Sequence, residues 1–140
     1  MTIQPQSVLL IGILLLALVT VESGGVFMTK VVRGSVPANA LQTSFFRAGH
    51  AHAAVLLVLS VAILGVIDNA DLPPVLEFFA RDGVPIAAIL MPAGFFLSVL
   101  GKDPQKPNRL MILLWVGAGF LTLGLLSAGL GLVVAGVAGL

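Results

Sequence analysis

Long apolar runs separated by short polar breaks organise this chain. They cover about residues 7–28, 45–67, 84–101 and 110–135. Each is long enough, or nearly so, to cross a hydrocarbon core of about 30 Å at roughly 1.5 Å of helix rise per residue. The pattern predicts an all-α fold: one transmembrane domain spanning 1–140, built as a bundle of four membrane-crossing helices. Pro92 interrupts the third run, removes a backbone donor there and predicts a kink. The fourth run exceeds what a bilayer needs, so it is expected to tilt or fray at its end.

The breaks have their own signatures. Asp71-Leu72-Pro73-Pro74 reads as an N-cap followed by proline in a first turn, and predicts a short helix there. Val75, Leu76, Phe78 and Phe79 would then rest at the membrane interface. The segment from Lys102 to Asn108 is a tight polar turn with two prolines, which makes the third and fourth helices antiparallel neighbours.

Composition agrees with the pattern. Hydrophobic residues make up 59% of the 140 and charged residues 9%, with a mean hydropathy of +1.14. A soluble domain carries about 25% charged residues, so a water-soluble core is excluded. The net charge of +1 gives nucleic acid no handle. There is no cysteine, hence no disulfide, thiolate nucleophile or cysteine-held metal. No Lys or Arg precedes Lys30, so the first run lacks the positive start of a secretory signal and is read as a retained helix.

The placement of charge predicts orientation. Lys30, Arg33, Arg47, Lys102, Lys106 and Arg109 fall in or beside the first and third breaks. The second break holds Arg81 alone, among Asp68, Asp71, Glu77 and Asp82. By the positive-inside rule both termini are expected outside the cytoplasm, in a multi-pass protein of the cell (inner) membrane.

Glycine recurs in the fourth run. Gly117, Gly124 and Gly131 lie seven residues apart with Ala138 next in the row, and Gly129 and Gly136 form a second row. Such a stripe lets another backbone approach closely. It serves packing within the protomer, a subunit interface, or a flat face for a cofactor ring.

The polar residues within the spans carry the chemistry. His50 and His52 sit in Phe45-Phe46-Arg47-Ala48-Gly49-His50-Ala51-His52-Ala53-Ala54, about 4 to 8 Å into the second helix counted from Arg47. Glu22 lies about 9 Å back from the end of the first helix, at a similar depth. An ionisable group inside a span normally faces a partner, a cavity or a pathway. Positions i and i+2 are about 200° apart on a helix, so both histidines cannot ligate one ion. A closed zinc site would need further ligands that the chain lacks. One histidine on a haem iron needs no such spacing, because the porphyrin brings the equatorial donors. Arg33, Arg47 and Arg109 lie near the same level and suit haem propionates. One histidine is expected to look toward Glu22 and the bundle, the other outward to a bound group or a neighbouring subunit, which favours an oligomer.

The size, the four spans and the segment Arg47-Ala48-Gly49-His50-Ala51-His52-Ala53 resemble styrene oxide isomerase and the hydroxylaminobenzene mutases. The isomerase carries Arg-Ala-His-Ser-Gly at the start of its second helix, and the mutase His-Leu-Glu-Gly. His50 falls on the family histidine, and His52 on the mutase glutamate. The resemblance implies a homotrimer with haem b at subunit interfaces and one histidine on the iron. In the isomerase the ferric iron acts as a Lewis acid that opens an epoxide to a carbonyl compound. The resembled family also has an Asn-Gly six and seven residues after its histidine, whose Asn helps position substrate, where this chain has Leu56 and Leu57, and this chain has no tyrosine.

The expectation is therefore a small oligomeric membrane protein binding haem b. His50 is the axial ligand, with Glu22, His52, Arg47, Arg33 and Arg109 around the cofactor and His52 kept as the other candidate ligand. A haem-dependent isomerisation of a small lipophilic substrate is the expected chemistry if the protein is an enzyme. The alternatives are a cofactor-free auxiliary or structural membrane subunit, and a proton or metal carrier using Glu22 and the histidines.

Overall fold

The structure, a computed structural model, describes residues 3–140. Its helices long and apolar enough to cross a membrane number four among the described residues, and no strand occurs there. They are α1 (Pro5–Val32), α2 (Ala40–Leu64), α3 (Pro74–Ser98) and α4 (Ile112–Ala138), and short 3-10 turns at Ile67–Asn69 and Arg109–Met111 precede α3 and α4. Each helix packs chiefly on its sequence neighbours, α1 on α2, α2 on α3 and α3 on α4. Half of the apolar window of α3 is buried, against 6% for α1. Thus α3 is the centre of the bundle, and α1 turns most of its apolar surface outward, as a bilayer permits. This is a multi-pass membrane protein.

The helix ends follow from local chemistry. Pro5 opens α1, where its missing N–H costs nothing. Gly34 closes it at φ 72°, with its N–H donating to the Val31 carbonyl and that of Ser35 to Lys30, the Schellman pattern. Asn39 and Gln42 form a capping box at the start of α2. The Gln42 amide also donates to the carbonyls of Val99 and Gly101, each at 3.1 Å, while Asn39 donates to Asp103 and to the Pro104 carbonyl. These bonds bring the end of α3 beside the start of α2. At the opposite end Ser7, Asp68 and Arg81 meet, so α1, α2 and α3 run alternately up and down.

The third helix differs from expectation. It begins at Pro74 rather than Val84 and ends at Ser98, and Val75 to Phe79 form its first turns instead of a separate interfacial helix. The polar stretch around Arg81 and Asp82 hid this continuity: Arg81 is buried because it is paired. The helix runs through both Pro85 and Pro92.

The first glycine row packs within the protomer. A Cβ on Gly124 would lie 3.1 Å from the Phe79 carbonyl oxygen and from the Val84 nitrogen, and one on Gly83 would lie 2.8 Å from the Gly124 Cα. Gly117 meets Met91 and Gly131 meets Leu72. These contacts let α3 and α4 touch backbone to backbone. The second row, Gly129 and Gly136, faces open space.

Candidate functional site

The register of α2 places the histidines. Its buried row runs through Gln42, Phe46, Gly49, Leu56, Leu57, Ser60 and Leu64. Gly49 sits against Phe96, where a Cβ would lie 2.8 Å from the ring, so this residue must be small. Each residue advances about 100° around the helix. His50 therefore emerges on one flank of the buried row, toward α1, and His52 on the other, toward α3. Both are half-buried. The expected split into an inward and an outward histidine becomes a split between two neighbouring helices.

His50 occupies the groove between α1 and α2. Its ring lies against the adjacent glycines Gly24 and Gly25: a Cβ on Gly24 would be 3.3 Å from Nδ1, and one on Gly25 3.7 Å from Nε2. The ring makes no hydrogen bond among the described residues, yet no buried side-chain nitrogen or oxygen there lacks a partner. Its nitrogens are therefore not fully buried, and the residue lines the adjoining cavity. That cavity, of about 530 Å³, is lined by Met28, Thr29, Val32, Arg33, Arg47 and His50. Arg33 caps the end of α1 and Arg47 lies in the second turn of α2, both exposed, so two guanidinium groups edge a mainly apolar groove. The Thr29 hydroxyl is committed to the Gly25 carbonyl at 3.0 Å.

His52 is held differently. Its Nδ1 lies 2.7 Å from the Ala48 carbonyl oxygen, and its ring tilts on Phe95 at a centroid distance of 4.9 Å. With Nδ1 donating, Nε2 keeps a free lone pair. His52 is not among the residues lining the cavity at His50.

The structure gathers only part of the expected constellation. His50, Arg47 and Arg33 come together. Arg109 does not join them: it starts the turn before α4, and that turn packs on α3 and α4. Glu22 is exposed and makes no side-chain hydrogen bond or ion pair among the described residues. Helical side chains lean toward their own N-terminus. With α1 and α2 antiparallel, Glu22 and His50 lean apart despite their similar depth. Leu56 and Leu57 are core residues 4% and 6% exposed.

Two features escaped the sequence. One is the contact of the His50 ring with α1, whose visible trace was the Gly24-Gly25 pair inside an apolar helix. The other is the network at the opposite end, where Arg81 bonds the Asp68 carboxylate and the Ser7 hydroxyl, and the Gln4 N–H donates to Asp68 at 2.7 Å. Its only trace was an arginine among acids at the mouth of a hairpin.

His50 is a single potential metal donor at this cavity. No cluster of three or more His, Asp or Glu able to hold an ion occurs among the described residues. A haem needs only one imidazole nitrogen, cations for its two carboxylates and apolar walls. His50, the Arg33 and Arg47 pair, and Met28 with Val32 fit that list. A scan against protein-family models, a search of curated proteins and a search of solved structures each find no match for this chain.

Proposed function

We propose that this membrane protein binds haem b in the groove between α1 and α2, with His50 as the axial ligand. The observation that carries the reading is an imidazole with both nitrogens unbonded, beside a cavity edged by Arg33 and Arg47. His50 would hold the iron, Arg33 and Arg47 would give charge-assisted hydrogen bonds to the haem carboxylates, and Met28 and Val32 would wall the groove. The bound iron would supply a Lewis-acid or redox centre.

The groove is open along one side, and a second copy of the chain would close it. The proposal therefore includes a homo-oligomer, a trimer by the resemblance, in the cell membrane with both termini outside the cytoplasm. The reaction class that the resemblance suggests is isomerisation of a small lipophilic molecule. Because Leu56 and Leu57 are core residues here, positioning of any substrate would fall to other side chains.

Titration of the detergent-purified protein with haemin, followed by difference absorption, tests the reading. Saturation at one haem per chain is expected, with uptake weakened several-fold when Arg33 and Arg47 are both changed to Gln. Absence of saturable uptake by the wild type would overturn it.

A further inference from the structure

A ligating histidine is usually oriented by a hydrogen bond from its other ring nitrogen to a carbonyl or carboxylate. His52 has such a bond, to the Ala48 carbonyl. His50 has none among the described residues, although it is the histidine that faces the basic-edged cavity. What its ring does have is a surface. Gly24 and Gly25 present bare backbone to it, and the nearest heavy atoms to a Cβ built on either glycine all belong to the imidazole of His50.

We propose that Gly24 and Gly25 are positioning residues for His50: the paired glycines form a steric seat that sets the plane of the imidazole in place of a hydrogen bond. The proposal rests on the haem reading for what the ring is held for, but the seat itself stands on the α1–α2 packing alone. Its contacts are graded. A methyl on Gly24 would meet Nδ1 at 3.3 Å, closer than carbon and nitrogen normally approach, so the ring must tilt or slide. A methyl on Gly25 would meet Nε2 at 3.7 Å and Cε1 at 3.8 Å, an ordinary contact that fills space without forcing a move. Gly12, on the same helix, has no atom within 4 Å of such a methyl and provides a matched control. Because the seat belongs to α1 and the ring to α2, any change in the packing of these helices changes the angle at which His50 meets a ligand.

The test uses the full chain in detergent with isotope-labelled histidine. Only His50 and His52 contribute ring signals, since the sequence has 2 histidines. Gly24→Ala is expected to move the His50 ring signals and leave those of His52 in place. Gly25→Ala should move them less, and Gly12→Ala should move neither. In haem-loaded protein, Gly24→Ala should retain haem but alter the electron paramagnetic resonance g-values, which report the angle of the axial ligand. His50 signals identical in wild type and Gly24→Ala would overturn the seat, whether or not haem binds. A wild type that takes up no haem, but whose His50 signals move in Gly24→Ala, keeps the seat and removes the haem reading. If Gly24→Ala fails to fold, Gly25→Val, whose added methyls reach past the ordinary 3.7 Å contact, provides the measurement: moved His50 signals support the seat and unmoved ones overturn it.

Discussion

The Arg81 guanidinium lies 2.5 Å from the Asp68 carboxylate, with side-chain exposures of 10% and 1%. The Ser7 hydroxyl bonds both partners. This ion pair ties the start of α1 and the start of α3 to the turn after α2. The pair is part-buried and Glu77 also lies 3.6 Å from the guanidinium, so removing one partner is expected to cost about 1–3 kcal/mol, most when Arg81 is lost and Asp68 keeps no cation. Arg81→Met and Asp68→Asn should each lower the Tm in detergent, followed by circular dichroism. The double variant should cost less than the sum of the two, because the pair is lost once. Additive losses would show that the two side chains stabilise the fold independently.

The α3–α4 contact depends on Gly83 and Gly124. A Cβ on Gly83 meets the Gly124 Cα at 2.8 Å, with only backbone to give way. Gly83→Ala and Gly124→Leu should each destabilise the protein by about 1–3 kcal/mol through overpacking. Leu126→Ala, at a residue 57% exposed, and Gly129→Ala, in open space, should change stability little. Denaturation in detergent distinguishes the sets, and equal behaviour would mean that the glycine row has no special packing.

Orientation is tested by fusing a reporter active only in the cytoplasm to Leu140. The basic residues of the first and third breaks predict no activity. Strong activity would reverse the assignment of both termini.

Apolar run length made the four helices legible, because a bilayer leaves the chain few alternatives. The start of α3 was not legible: Arg81 and Asp82 look like loop residues until Asp68 and Ser7 are seen to enclose Arg81. Within the site, opposite placement of His50 and His52 followed from helical geometry alone. Which helix each would face depended on the long-range packing of α2 between α1 and α3, which its own sequence does not record. Depth counted along each helix put Arg109 and Glu22 level with His50. Depth says nothing of position around the bundle, and there α3 separates the Arg109 turn from the groove.

The roles of the two histidines divide the haem reading further. His50 lines the cavity and His52 is fixed by the Ala48 carbonyl. His52→Ala should therefore retain haem, with at most a modest shift in band position or redox potential. Loss of haem in His52→Ala with retention in His50→Ala would move the ligand to the free Nε2 of His52.

The most direct measurement is the absorption spectrum of the protein expressed with haem precursor and purified in mild detergent, compared with His50→Ala prepared in parallel. The wild type should be red, with a Soret band in stoichiometric proportion to protein, and His50→Ala should lose that band or show it grossly altered. A wild type that stays colourless and takes up no added haem would contradict the proposed function.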